Sequence, residues 1–329
     1  MRGLLSATLA AFLVFCAGTA SAQQGTRWIM ASAYAEGAYH TRNIRAFIED
    51  VERATGGRLS VQLHPTATLL PMPQIKRGVQ QGQVQLGEIL LNVYGNEDPF
   101  FEVDGVPFLA DTWPATAALH EATLPFIRAR LERQGLTLLY MVPWASQGLY
   151  TRTELRGVED LRGQRLRAYN ALTSRFAELM GAVPVTVQAA EVAQAFATNV
   201  ISAMLTSAQT GVDTSAWDYA RVFTDVGGMR SRNAVFANSR AFAALDEPTR
   251  AAVRAAAGRA EARGWEMARA SEAEMAARLR ERGMATPEPT AQLMAQLREI
   301  GSQQTREWLQ RAGPEGEQMM QRYRAAASR

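Results

Sequence analysis

The segment Leu161-Arg162-Gly163-Gln164-Arg165-Leu166-Arg167 sets an arginine between apolar Leu166 and Ala168 in a short run of strand character, just ahead of a loop at Asn170. Arginine is rarely fully buried without a partner, and its planar fork grips a carboxylate through two charge-assisted hydrogen bonds. A small organic acid is the natural complement of Arg167, and an exposed strand arginine is the alternative that the residues leave open. Other chemistry is thinly supplied. His40, His64 and His120 share no metal-ligand spacing, and there is no Gly-rich phosphate loop, G-x-S-x-G elbow or H-E-x-x-H helix. Glu97-Asp98, and Glu36 with Glu88, are acid pairs of the type a glycosidase needs, but carboxylates are common at sheet edges. The expectation is no catalytic residue, no metal and no cofactor.

What does recur is a polar and aromatic loop after an expected strand: Tyr34-Ala35-Glu36 with His40 following, Asn92 with Tyr94, Trp144 with Gln147, and Tyr169-Asn170. Ligands of open α/β sheets bind beyond the carboxyl ends of the strands, so a cleft between two such sheets would collect these side chains. The periodicities supply the sheets. A strand is expected at 27–33, a helix at 41–54 with Ile44, Phe47, Ile48 and Val51 on one face, and a half-buried strand at 59–64. A short helix at 74–81 and a strand at 84–91 complete a β-α-β-α-β unit. The grammar repeats with a helix to 134, strands at 137–142, 165–169, 183–187 and from 201, and helices at 172–180 and 190–198. The chain is expected to cross between two lobes at 143–150. An alanine-rich helix over 248–283 is longer than the usual helix of a globular domain, and another is expected over 290–310.

The first 22 residues read as a secretory signal peptide: Arg2, an apolar stretch from Leu4 to Ala17, and Ala20-Ser21-Ala22 as a small-x-small cleavage site. Cys16, the only cysteine, lies inside it behind Phe15, where a lipoprotein signal would want a small residue. The mature chain from Gln23 then has no thiol, and is expected to be a soluble periplasmic protein. The full sequence of 329 residues suits two domains. A net charge of +3, with arginines interspersed among glutamates and Lys76 the sole lysine, gives no nucleic-acid face.

Several blocks carry a family resemblance: Thr55-Gly56-Gly57-Arg58-Leu59, Val106-Pro107-Phe108-Leu109, Asp160-Leu161-Arg162-Gly163 through Arg167, Gly181 through Pro184 to Glu191, and Glu307-Trp308-Leu309 with Ala312-Gly313-Pro314. In order and spacing the chain resembles, from Arg27 to Tyr323, the solute-binding protein of the tripartite ATP-independent periplasmic (TRAP) transporters, the family associated with C4-dicarboxylate uptake. The resemblance implies an α/β, two-lobed periplasmic binding protein fold, with a ligand cleft between the lobes and a long helix spanning both. Residues 23–148, rejoined by 237–275, would form the first lobe, and 149–236 with 276–329 the second.

Arg167 matches the family arginine that pairs with the substrate carboxylate. Where many relatives read D-G-Q-x-N-P, this chain has Ser202-Ala203-Met204-Leu205-Thr206-Ser207, so Thr206 stands for the usual asparagine. It looks like a subgroup with T-S-x-x-T-G-V-D, here Thr206 to Asp213, and a following Trp217-Asp218. The implied role is capture of a small organic acid by a monomer and its delivery to TRAP membrane subunits. A receptor for another importer or a sensor, or a periplasmic enzyme, are the alternatives. Expected ligand contacts are Arg167, Tyr34, Glu36, His40, Asn92, Trp144, Gln147, Asn170, Thr206 and Ser207. With Trp144 and Trp217 as candidate walls and no second cation in the matched positions, a monocarboxylate should bind better than succinate or malate. Arg42 or Arg175, if turned inward, would restore a diacid.

Overall fold

The computed structural model describes residues 25–328; the expected leader, Cys16 included, lies outside them. The chain runs through β1 (Thr26–Ala31), α1 (Tyr39–Ala54), β2 (Leu59–His64), α2 (Met72–Gln80), β3 (Leu86–Leu90), α3 (Trp113–Arg133), β4 (Leu136–Pro143) and β5 (Gln147–Thr151). It continues through β6 (Arg165–Ala168), α4 (Ala171–Leu179), β7 (Val183–Thr186), α5 (Val192–Ala197), β8 (Ala203–Ser207), α6 (Ala208–Asp213), β9 (Val222–Asp225) and β10 (Arg232–Asn238). Three helices follow: α7 (Ser239–Ala243), α8 (Glu247–Glu281) and α9 (Ala291–Ala327).

The strands form two five-stranded sheets, in the orders β2-β1-β3-β10-β4 and β7-β6-β8-β5-β9. In the first, β1 runs parallel to β2 and β3 while β10 lies antiparallel between β3 and β4. In the second, β6 runs parallel to β7 and β8, and β5 lies antiparallel between β8 and β9. The chain passes between the sheets from β4 to β5, and returns from β9 to β10. These crossings touch: Trp144 N donates to Ser231 O at 2.7 Å.

Local chemistry explains the elements that frame the cleft. Ile44, Phe47, Ile48 and Val51 bury one stripe of α1, and Gly56 and Gly57, both at positive φ, end it and turn the chain into β2. Asn170 caps α4, its Oδ1 accepting from Thr173 N at 2.8 Å. Ser207 caps α6 by accepting from Thr210 N at 3.3 Å. The alanine-rich helix packs because it is alanine-rich. Ala256, Ala257, Ala260, Gly264 and Ala268 are buried, and a Cβ on Gly264 would stand 2.4 Å from Val142 Cγ2 and 2.8 Å from Asn43 Nδ2. Its first half lies on α1 and β4 of the first sheet and its later turns on α6 of the second, so one rod spans both lobes.

The structure departs from the sequence expectation in several places: β5 lies largely within the stretch expected to be a crossing, and β9 and α6 were not expected. β10 is a central strand of the first sheet, although the sequence offered no strand there. α9 continues past 310 to Ala327, with Gly313 breaking the helix at φ 61°. The helix expected over 190–198 is a short 3₁₀ turn, Ala189–Glu191, followed by α5.

Candidate ligand-binding site

A cavity of about 110 Å³ lies between the carboxyl-terminal edges of the two sheets. Arg167, on β6, enters it from the second lobe and is 3 % exposed. Its strand is flanked by β7 and β8, and the guanidinium is aimed by their backbones: Nε donates to Val187 O at 2.9 Å and Nη1 to Leu205 O at 3.3 Å. The Tyr169 ring lies 4.9 Å from its central carbon. Burial pulls the guanidinium down to about 10, with the nearby Tyr169 and Tyr34 hydroxyls opposing the shift. No carboxylate pairs with it among the described residues, and Nη2 has no protein acceptor there. An unpaired buried charge is costly, so the pocket is built for a ligand that brings the missing anion.

The rest of the lining divides by sheet. Tyr34, Met72, Leu90, Val93 and Trp144 come from the first side, mostly apolar. Gln147, Thr206, Ser207, Thr210 and the loop Gln188 to Glu191 come from the second and are mostly polar. Arg167 is the one cation among the lining residues.

Of the sequence-expected contacts, Arg167, Tyr34, Trp144, Gln147, Thr206 and Ser207 meet at this cavity. Four do not. Glu36 is half exposed and pairs with Arg45 on the surface of α1, whose guanidinium holds the carboxylate there through Nε at 2.8 Å. His40 sits behind the wall, its ring stacked on Trp144 at 4.2 Å, with both nitrogens buried and unpartnered. Burial drops its pKa to about 3, so the imidazole is neutral. Asn92 and Asn170 bind each other: Asn170 Nδ2 donates to Asn92 Oδ1 at 2.8 Å and to Asn92 O at 3.2 Å, and Asn92 Nδ2 donates to Ser231 Oγ at 2.8 Å. Their amides tie one sheet to the other instead of lining the cavity.

Trp217 is also elsewhere, under the Arg282 guanidinium at 5.0 Å. Arg42 is exposed and Arg175 forks onto Glu307 at 2.9 Å, so neither supplies a second cation to the wall. The acid pairs separate as well. Glu97 pairs with Lys76, Asp98 with Arg130 at 2.7 Å, and Glu88 is buried on β3 with Ser32 and Asn233 as partners while Glu36 pairs with Arg45. Sequence reasoning missed Ser231 and Asn233, on or beside β10. Asn233 accepts from Trp144 Nε1 at 2.8 Å and donates to Glu88 Oε1 at 2.9 Å. Among the described residues no three His, Cys, Asp or Glu side chains converge on a metal position, and no helix is long and apolar enough to cross a membrane.

Comparison with known proteins decides the family. The model of the DctP family, bacterial extracellular solute-binding protein family 7, matches residues 30–311. The chain belongs to this family. Among solved structures, the DctP7 solute receptor of Bordetella pertussis, which binds pyroglutamic acid, is 45% identical, with a TM-score of 0.90 over 91% of this chain and 100% of that one. A TRAP solute-binding protein from an unidentified marine microbe, specific for pyroglutamate, is 31% identical, with a TM-score of 0.90 over 92% and 99%. A solute-binding protein of Albidiferax ferrireducens is 21% identical over 226 residues, 68% of this chain and 66%, just under two thirds, of that protein. As a DctP-family member the chain is an extracytoplasmic solute-binding protein of the TRAP type and not an enzyme.

Proposed function

We propose that this receptor captures a small monocarboxylate of the pyroglutamate type in the periplasm, after export by the leader at 1–22, and delivers it as a monomer to TRAP membrane subunits. Arg167 carries the reading: a buried guanidinium, held by two backbone carbonyls and without a carboxylate partner, opens on a small cavity that has no second cation. The ligand's carboxylate completes Arg167, and the compact remainder meets Tyr34, Trp144, Met72, Leu90 and Val93. Thr206 and Ser207 supply hydroxyls near the charge, where a longer amide would fill the space. The two relatives that bind pyroglutamate support the same solute class.

Mass spectrometry of the solute that co-purifies, followed by a thermal-shift comparison of pyroglutamate with succinate, malate and fumarate, tests this. Pyroglutamate at 100 times its dissociation constant should add about 2.7 kcal/mol of stability. A clear preference for the diacids would overturn the assignment.

A further inference from the structure

A chain of hydrogen bonds with a fixed direction runs through the place where the two sheets are tied together and ends in the cavity wall. It starts at Thr173 N, a backbone N–H that can only donate, so the Asn170 atom 2.8 Å away is the amide oxygen. The Asn170 nitrogen is thereby turned to Asn92, donating to Oδ1 at 2.8 Å and to the backbone O at 3.2 Å. That leaves the Asn92 nitrogen for Ser231, whose Oγ accepts from it at 2.8 Å. Asn170, Asn92 and Ser231 are all buried, so no solvent contact offers either amide a reversed orientation. Gly105 leaves the Asn92 amide its place, since a Cβ there would stand 2.7 Å from Nδ2. A serine hydroxyl has one proton to give. With a donor already occupying its Asn92 side, Ser231 turns that proton elsewhere, and Ser231 lines the cavity. The Tyr169 hydroxyl stands beside it and itself donates to Met229 Sδ at 3.7 Å. A phenol is a poor acceptor next to a carboxylate, because hydrogen bonds to an ionised oxygen are about twice as strong as neutral ones.

We propose that Ser231 is a ligand-binding residue, a hydrogen-bond donor to an oxygen of the bound acid, and that Asn92 and Asn170 are positioning residues that impose this polarity. The inference rests on the reading of the cavity as a carboxylate site anchored by Arg167. The oxygen belongs either to the carboxylate or to a carbonyl in the remainder of the solute; both are acceptors, and both suit a wall that offers a proton. Asn92 follows β3 of the first sheet, Asn170 precedes α4 beside the second, and Ser231 lies on the crossing before β10. The donor is therefore aimed only where the two sheets meet, and the same contact that ties them together prepares the wall for the solute.

The test joins a crystal structure of the complex to calorimetry with pyroglutamate, 3-oxocyclopentanecarboxylate and cyclopentanecarboxylate, the last two differing only by a carbonyl. The crystal is grown with pyroglutamate or, if that acid does not bind, with the oxo acid, and an oxygen of the acid should stand about 3 Å from Ser231 Oγ. Ser231→Ala should weaken binding of that acid about fivefold or more, the worth of one hydrogen bond. If the acceptor is the carbonyl, the oxo acid loses affinity and the plain acid stays within about twofold; if it is the carboxylate, both fall together. Asn92→Asp, read at about pH 8, well above the ordinary carboxylate range, keeps the bond from Asn170 but turns an acceptor to Ser231 and draws its proton away from the cavity. It should reproduce the loss seen in Ser231→Ala and add less than about threefold when the two are combined. Solute oxygens all beyond about 3.5 Å from Ser231 Oγ, or an affinity unmoved in Ser231→Ala, would overturn the proposal. An Asn92→Asp loss equally large with and without the Ser231 hydroxyl would show the new charge acting directly and would overturn the positioning role. Failure of pyroglutamate to bind while the oxo acid depends on Ser231 would remove the proposed solute and support the donor. Binding of none of the three acids would remove both.

Discussion

Replacing Arg167 with methionine separates two energies that the guanidinium combines. In the ligand-free protein the change removes hydrogen bonds to Val187 O and Leu205 O, worth about 1 kcal/mol each. It also removes a buried charge with no acid partner, whose desolvation penalty is several kcal/mol, roughly enough to offset that loss. The stability of the empty protein in urea should thus stay level or rise. Binding should behave in the opposite way. Losing one partner of a buried, hydrogen-bonded charge pair costs about 2–5 kcal/mol, or roughly 30-fold to several-thousand-fold in affinity at about 1.4 kcal/mol per decade. At a ligand concentration of 100 times the wild-type dissociation constant, stabilisation of about 2.7 kcal/mol should fall to about 0.9 kcal/mol or less in the variant. Calorimetry and ligand-dependent urea unfolding, run side by side, read both numbers. Affinity within about threefold of wild type, well under the smallest expected loss, would show that Arg167 does not hold the carboxylate. A ligand-free variant destabilised by more than about 3 kcal/mol, beyond its two hydrogen bonds, would show instead that it is a structural arginine.

His40→Phe keeps the stack on Trp144 while removing two buried nitrogens that have no partner, so it should stabilise the fold by about 1–3 kcal/mol. Because burial lowers the His40 pKa to about 3, the unfolded chain takes up its proton first, so the fold loses stability through His40 as the pH falls from about 6.5 toward 3. The acid limb of a urea-midpoint profile should therefore flatten in the variant, and an unchanged limb would refute the assignment. Gly264→Ala should cost about 1–3 kcal/mol by overpacking against Val142, and most of that should return in the double variant with Val142→Ala. Unfolding midpoints that simply add would contradict the close contact. Asn92→Ala removes the side-chain tie from Asn170 Nδ2 to Asn92 Oδ1 between the sheets, and with it the Asn92 Nδ2 hydrogen bond to Ser231 of the cavity wall. It should weaken ligand binding roughly fivefold, the equivalent of about one hydrogen bond, and unaltered affinity would argue that the tie is equally made with the cleft open.

The fold was legible where one face of an element is wet. α1 shows its stripe and β2 its alternation because each has a solvent side, and Arg167 stood out because it is a charge in an apolar run. β10 was illegible for the opposite reason: all seven of its residues are buried, and a strand covered on both faces carries no period of two. With β10 went Asn233 and the neighbouring Ser231, whose importance depends on a strand arriving from the far end of the chain. Glu36 and His40 were misplaced because a loop followed by a helix does not reveal which way its side chains turn; one turns out to Arg45 and the other in behind Trp144. Asn92 and Asn170 were recognised as polar loop residues, but their pairing is a tertiary fact, made by two lobes meeting.

The division of the cavity wall has an evolutionary consequence. The side that holds the charge, built by β6 and β8, anchors Arg167 through backbone carbonyls, which no side-chain substitution at Val187 or Leu205 deletes. The opposite side shapes the remainder of the solute with Met72, Leu90 and Val93, whose replacement changes volume and contour while leaving that anchor untouched. Mutation can thus redraw the menu of acids one bank at a time, and a receptor passing from one substrate to another need never lose its grip on carboxylates along the way.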